Sequence, residues 1–324
     1  MASHEKIGVC AREPHRPVLL REVTEAFSSR PIRVFVDATL GAGGHAEAIL
    51  EAHPEIELFI GIDQDPLALQ IAARRLERFG SAVSLQHGNF RHLEAIVRGL
   101  GSASVDGILM DIGVSSMQLD VGERGFSFSK EGPLDMRMDP TAPLDAAEII
   151  NSWPEESLAE CFWTYGEMPM GRKVARAILV ARESRRIATT GELCQLLEPI
   201  IGLGGRGRLH PMTLVFQALR IAVNDELGAL ERAIPQAIDL LAPHGRIAII
   251  SFHSLEDRRV KTHYRRESSG VEEDQLNPFS CTKKKERRLR LVTSKAIGPS
   301  IGEAKQNPRS RSAKLRVAER LEET

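Results

Sequence analysis

The segment Asp37-Ala-Thr-Leu-Gly41-Ala-Gly43-Gly44-His45 carries three glycines between an apolar run and a helical stretch. Glycine there lets the backbone turn tightly and lets a ligand approach it closely, and the start of a helix adds unpaired N–H groups. Twenty residues past Gly43, Asp63 closes the next apolar run. A carboxylate at that place accepts hydrogen bonds from both hydroxyls of a ribose, and ligands of such sheets sit beyond the carboxyl ends of the strands. Together these residues predict a nucleoside-bearing ligand. GAGGHA also satisfies the looser GxGxxA dinucleotide fingerprint, so a nicotinamide cofactor and S-adenosylmethionine both fit. Asp37, four residues before Gly41, stands where many methyltransferases carry an acid near a methionine amino group.

Two further groups end apolar runs. Asp111 closes Val105–Asp111, and His253 follows Gly245–Phe252 beside Ser251 and Ser254. No Ser-His-Asp arrangement follows from spacing, so hydrolase chemistry is not indicated. The four cysteines (Cys10, Cys161, Cys194 and Cys281) form no CxxC pair, which predicts reduced thiols and no metal site.

The elements that must position these groups alternate. Val34–Thr39, Leu58–Asp63, Val83–His87 and Val105–Asp111 read as buried strands. Between them His45–His53 and Pro66–Phe79 read as helices, the second with Asp65 as N-cap and Pro66 at its first position. Strands separated by helices predict an α/β fold with a mostly parallel sheet covered on both faces. The alternation stops at a Gly-, Ser- and Phe-rich loop of residues 115–140. A purely helical stretch from Pro143 to Leu203 follows, and a glycine-rich joint, GLGGRGR, at 202–208. Long helices over 211–242, a strand at 245–253, a polar loop at 267–288 and two late strands near 288–292 and 313–317 complete the chain. The reading predicts an α/β domain made of residues 1–138 and 209–324, with an all-α domain of residues 139–208 inserted in it.

The 324 residues carry 43 Lys and Arg against 44 Asp and Glu, a net charge of −1, so total charge names no partner. Its distribution does: Arg258–Arg316 holds seventeen basic against six acidic residues. Arg172, Lys173, Arg176, Arg182, Arg185 and Arg186 add to it from the inserted helices, a pattern that fits a phosphate-binding surface. No apolar run approaches the ~20 residues needed to cross a bilayer. The opening residues lack the apolar core of a secretory signal, so a cytoplasmic protein with no membrane partner is expected.

With Asp111-Ile-Gly-Val-Ser-Ser-Met-Gln118-Leu-Asp120, Arg124-Gly-Phe-Ser-Phe128 and Pro133-Leu-Asp-Met-Arg-Met-Asp139, the chain resembles the RsmH (MraW) family of bacterial 16S rRNA cytosine-N4 methyltransferases. The resemblance extends to the His15–Glu22, Asp37–His45, Tyr165–Glu167, Phe216–Glu226, Ser251–Arg258 and Asn307–Arg316 segments. It implies a class I (Rossmann-like) methyltransferase fold with a helical substrate-recognition insertion, and S-adenosyl-L-methionine as cofactor. The implied substrate is a cytosine of 16S rRNA near the decoding centre, within the small ribosomal subunit or a late assembly particle; the oligomeric state is open, a dimer included. By position, Gly43, Gly44 and His45 line the methionine end, Asp63 holds the ribose, Phe90 packs near the adenine, and Asp111 and Gln118 complete the pocket. Two positions depart from the family pattern: Met168 stands where a second Glu follows Tyr165-Gly-Glu167, and Leu214 where an Arg is expected.

Cytosine N4 is a weak nucleophile because its lone pair is delocalised into the ring, and acceptors aimed at its hydrogens localise that pair. The Asp/Asn-Pro-Pro-aromatic motif that does this in other amino-methyltransferases is absent. Asp111 takes its place, as a polarising group or purely as a cofactor holder, with His253 as a further group for the substrate. The base must leave its stack to react, and Phe126 and Phe128 are candidates to contact it, the alternative being that they anchor the loop. An NAD-dependent oxidoreductase lacks its second nucleotide half here, a DNA cytosine methylase lacks its motif, and an RNA-binding factor with a relic pocket differs only in activity.

Overall fold

A computed structural model describes residues 17–202, 210–272, 283–284 and 286–322. Most of the glycine-rich joint, much of the polar loop, Cys10 and Cys281 lie outside the described residues. The elements run α1 (Leu20–Phe27), β1 (Val34–Asp37), α2 (Gly44–Ala52), β2 (Leu58–Asp63), α3 (Pro66–Leu76), β3 (Val83–His87), α4 (Leu93–Gly99), β4 (Val105–Asp111) and α5 (Ser116–Asp120). The helices α6 (Ala146–Ser152), α7 (Glu155–Thr164), α8 (Gly171–Ser184), α9 (Thr190–Ile201), α10 (Met212–Asn224) and α11 (Glu226–Leu240) follow. Then come β5 (Leu241–Ser251), α12 (Ser254–Ser269), β6 (Val271–Glu272), β7 (Lys283–Lys284), β8 (Leu289–Leu291), α13 (Ile301–Gln306) and β9 (Lys314–Arg320).

Seven strands form one sheet in the order β3-β2-β1-β4-β5-β9-β8. The first five pair in parallel, and β9 and β8 add on antiparallel. The parallel strands read as near-continuous apolar runs because helices bury both faces. On one face Phe35 of β1 stacks on Phe59 of β2 and takes Phe27 of α1 edge-on, with ring centroids 5.5 and 4.9 Å apart. On the other, Val36, Ile60 and Ile108 pack under Leu93, Val97, Ile234 and Ile238 from α4 and α11. The strand order reverses between β1 and β4, which opens the crevice where such sheets bind ligands.

Local chemistry explains most boundaries. Asp65 caps α3 through its side chain, with Pro66 at the first position as expected. The helix ends at Leu76 rather than Phe79: a 3₁₀ turn takes over, and Gly80 sits at φ +58°. The fifth strand starts at Leu241 and stops at Ser251, so His253 is not a strand-end residue; it is the N-cap of α12. The 115–140 loop contains the short helix α5, opened by a reciprocal capping box of Ser115 and Gln118.

The helical stretch over 143–203 forms α6 to α9 with a core of its own. That core also draws on Phe126, Leu134, Met136 and Met138 from the preceding loop, and on Met212, Val215, Phe216 and Leu219 of α10. Among the described residues, no helix is long and apolar enough to cross a membrane.

Candidate active site

The carboxyl ends of β1, β2 and β4 open into a cavity of about 340 Å³, within the usual size of a small-ligand pocket. Its walls include Gly44, His45, Asp63, Phe90, Asp111 and Gln118, six of the residues singled out from sequence. Gly43 and His253 are not among the lining residues.

The β1–α2 turn shows why it is built of glycine. Gly43 caps α2 at φ +77°, a left-handed conformation that costs other residues about 1–2 kcal/mol. Gly44 is excluded from change by space: a Cβ there would lie 2.5 Å from Pro17 Cγ and 3.2 Å from an Arg75 guanidinium nitrogen. Gly43 therefore holds the turn without lining the cavity, while Gly44 lines it together with the Pro17 and Arg75 side chains packed against its backbone.

Asp63 accepts the Gly41 N–H at 2.7 Å and the Asp65 N–H at 2.8 Å, one on each carboxylate oxygen. Burial pushes its pKa up to about 6 against those two hydrogen bonds. Beneath the turn, Asp37 is buried, and burial raises it to about 7, opposed by His45 and by the Thr39 N–H. The turn therefore holds two carboxylates in positions that disfavour their charge, and a bound cation relieves that cost.

His45 is buried, and among the described residues neither ring nitrogen has a hydrogen-bond partner. Its Nε2 lies 3.5 Å from Asp111 Oδ2, longer than a good hydrogen bond. Asp111 Oδ1 is likewise buried and without a partner, while the Asp111 backbone N–H donates to Thr39 Oγ1 at 2.6 Å. Buried polar atoms are nearly always satisfied in native proteins, so these orphans in a cavity wall mark where a polar ligand completes the structure.

Gln118 is committed to the protein. Its carbonyl accepts the Ser115 N–H at 3.0 Å and its amide donates to Asp65 Oδ2 at 3.1 Å. Arg124 donates to the same Asp65 oxygen at 2.7 Å, and to the carbonyls of Arg137 and Met138 at 2.9 and 3.0 Å. This buried knot ties the long loop to the N-terminus of α3 beside Asp63. Sequence reasoning took Asp65 for a helix cap alone; the one signal for the rest was an arginine in a loop otherwise rich in small residues.

Phe126 and Phe128 anchor the loop. Phe126 is buried in the helical core, and Phe128 packs between His210 and Phe216, with ring centroids at 5.1 and 5.7 Å. The two departures also serve that core: Met168 is buried within it and Leu214 packs against it.

The far wall was not read from sequence. Arg220, Glu226, Phe252 and Glu256 line it. Arg220 grips Glu226 through two hydrogen bonds of 2.8 and 2.9 Å. Glu256 accepts the N–H groups of Phe252 and His253 at 2.8 and 3.2 Å, and its other oxygen lies 3.0 Å from His253 Nε2. Burial raises the Glu256 pKa, but the hydrogen bond and charge of His253 and the charge of Arg220 outweigh it and leave it below the usual range. His253 thus fixes the start of α12 through Glu256. At the mouth, Arg309 clasps Asp120 at 2.8 and 3.3 Å, linking α5 to the segment before β9.

The sequence profile of the MraW methylase family matches residues 12–321. The ribosomal RNA small subunit methyltransferase H of Protochlamydia amoebophila is 52% identical over 309 residues, covering 95% of this chain and 98% of that protein. The proteins of the same name from Heliobacterium mobile and Brevibacillus brevis are each 47% identical, covering 95% of this chain and 99% and 98% of theirs. A cavity walled by a glycine turn, the carboxylate that closes β2 and unsatisfied buried polar atoms fits the sulfonium nucleoside S-adenosylmethionine, the methyl donor of this enzyme. The protein belongs to the MraW methylase family.

Proposed function

We propose that this protein transfers a methyl group from S-adenosylmethionine to the exocyclic N4 of one cytosine in 16S rRNA, near the decoding centre. The observation that carries the reading is Asp111 Oδ1, a buried acceptor without a donor among the described residues, in a cavity wall at the end of β4. An exocyclic amine supplies the donor it lacks. The names of the relatives, each a methyltransferase of small-subunit ribosomal RNA, support the substrate class.

Bound in the cavity, S-adenosylmethionine supplies an electrophilic methyl group on a sulfonium. The chain's own residues do the rest. Gly44 and His45 would flank its methionine end, with Gly43 holding the turn from behind; Asp63 would accept the ribose hydroxyls and Phe90 would pack on the adenine side. Gln118, held by Ser115 and Asp65, keeps α5 closed over the pocket. Asp111 Oδ1 accepts an N4–H, which localises the nitrogen lone pair, and takes the proton that N4 sheds as its new N–C bond forms and the methyl C–S bond breaks, its electron pair leaving with sulfur as a thioether. Most of the rate gain comes from holding nucleophile and methyl in near-attack geometry. His253 acts at one remove, by orienting Glu256 in the far wall.

The helical insertion around residues 139–208 and the basic segments hold the RNA. The small ribosomal subunit, or a late particle on its assembly path, presents the flipped-out base, which places the protein in the cytoplasm. Incubating the protein with methyl-tritiated S-adenosylmethionine and small subunits from cells lacking it tests this. Label is expected in 16S rRNA, recovered as N4-methylcytosine, and Asp111→Asn is expected to lower kcat while leaving the KM for the cofactor within about threefold. A large rise in that KM with kcat kept would make Asp111 a cofactor holder instead. Label in large-subunit RNA or DNA alone would overturn the substrate.

A further inference from the structure

A second concavity, of about 720 Å³, lies between α7 of the helical insertion and α12. It starts next to the first: Phe252 and Glu256 line the cofactor cavity, and Leu255 and Arg258, on adjoining positions of α12, line the groove. Glu167 closes the seam by accepting from the Ser254 hydroxyl and pairing with Arg258 at 3.3 Å.

On its rim stands Trp163, 63% exposed. A broad aromatic face left open to solvent is available to a partner that stacks on it. The surroundings say what that is. Beside Trp163, only Pro169 and Leu255 among the lining residues are apolar; the others include Arg258, Arg259, Thr262, His263 and Arg266. An apolar helix or a lipid surface would find little to bury here. A planar base with a phosphate on each side finds a ring face and guanidinium groups. Two of the cations are held in place from the walls: Arg258 by Glu167, and Arg259 by Glu231 at 3.0 Å. Arg258 and Arg266, two turns of α12 apart, remain 65% and 55% exposed at their side chains, with Arg266 3.8 Å from its neighbour Glu267. Exposed aromatic faces beside basic side chains are the recurring means of binding single strands, because every base has a stacking face.

We infer that this groove binds single-stranded RNA adjoining the target cytosine, with Trp163 stacking one base and Arg258 and Arg266 receiving phosphates. The inference rests on the functional reading above, and gives the RNA a path from the cofactor cavity along α12 to the helical insertion.

The chain has two tryptophans, Trp153 and Trp163, so a Trp153→Phe protein reports on Trp163 alone. Titrating it with oligocytidylate is expected to quench the Trp163 emission saturably, the binding weakening as salt rises. Trp163→Ala is expected to weaken oligonucleotide binding about tenfold, and to raise the KM for small subunits more than it lowers kcat. Trp163→Phe, which keeps a stacking face, is expected to recover most of the affinity. Emission indifferent to the oligonucleotide, or emission that shifts with protein concentration alone as in self-association through Trp163, would overturn the inference. A protein that methylates 16S rRNA with the same KM when Trp163 is Ala also loses the groove, with the functional reading intact. Quenching in a protein that methylates no ribosomal RNA keeps the groove and removes the functional reading.

Discussion

Replacing Asp63 with Asn separates a ligand-binding carboxylate from a structural one, because the two roles move different observables. In the unliganded protein the carboxylate accepts the Gly41 and Asp65 N–H groups, one on each oxygen. An amide keeps one of those acceptors and turns an NH₂ toward the other donor, a loss of about 1.5–3 kcal/mol for a hydrogen bond to a charged group. Against this, burial has raised Asp63 to about 6, roughly two units above a free Asp and thus at most about 3 kcal/mol of penalty at neutral pH. Solvent reaching the half-buried group reduces that to about 1–2 kcal/mol. That penalty is already net of the two hydrogen bonds, so the amide's mismatch with one donor offsets it in part, and the folding stability of the variant at pH 8 is expected within about 2 kcal/mol of the parent. Ligand binding has no such compensation: ribose hydroxyls that met a carboxylate meet a neutral amide, a loss of roughly 3 kcal/mol or about a hundredfold in Kd. The sign with pH follows from the raised pKa. The penalty is absent below about pH 4, grows as pH rises and is complete above about pH 6, so the parent gains stability relative to the variant as pH falls from 7 to 5. Calorimetric titration with S-adenosylhomocysteine and denaturant melts at two pH values measure both quantities. A variant that unfolds far more easily while its affinity falls in proportion, or one that binds as tightly as the parent, would refute the reasoning.

Three other perturbations follow from the same geometry. Gly44→Val places atoms inside the Pro17 ring contact and beside Arg75, and should abolish detectable cofactor binding by calorimetry. Arg124→Ala removes the charge opposite Asp65 and two hydrogen bonds to the loop carbonyls; about 3 kcal/mol of stability should be lost in urea melts, since the buried Asp65 charge keeps only neutral donors, Gln118 and the Leu67 N–H. Asp37 is raised to about 7, so the unliganded protein should lose stability as pH rises from about 4 toward 7. An Asp37→Asn variant should show a flatter stability profile over that range, and cofactor affinity in the parent should strengthen as pH rises through 7.

Much of the nucleotide half was legible because its signals are local. A glycine run between an apolar strand and a helix, Asp-Pro at a helix start and an acid closing β2 each act within a few residues, and the structure puts them at one crevice. The late strands near 288–292 and 313–317 were legible by the same apolar alternation, as β8 and β9. Long-range packing hid the rest. For Phe126 and Phe128 the sequence left base contact and loop anchoring both open, because the helices that cover them come from residues as distant as Phe216. His253 follows a strand in sequence and caps a helix in space because Glu256, one turn on, reaches back to it. Arg220 of α10 and Glu226 of α11 stand six residues apart across the left-handed turn at Asp225, a spacing no single helix pairs, and meet because the chain bends there. The knot of Asp65, Gln118 and Arg124 joins positions up to 59 residues apart, and no periodicity announces it.

The most direct test of the central claim is to map N4-methylcytosine by mass spectrometry in the small-subunit ribosomal RNA of cells with and without this protein. One N4-methylcytosine near the decoding centre is expected to disappear without the protein and to return with the parent gene but not with Asp111→Asn. An unchanged N4-methylcytosine pattern in cells lacking the protein would contradict the claim.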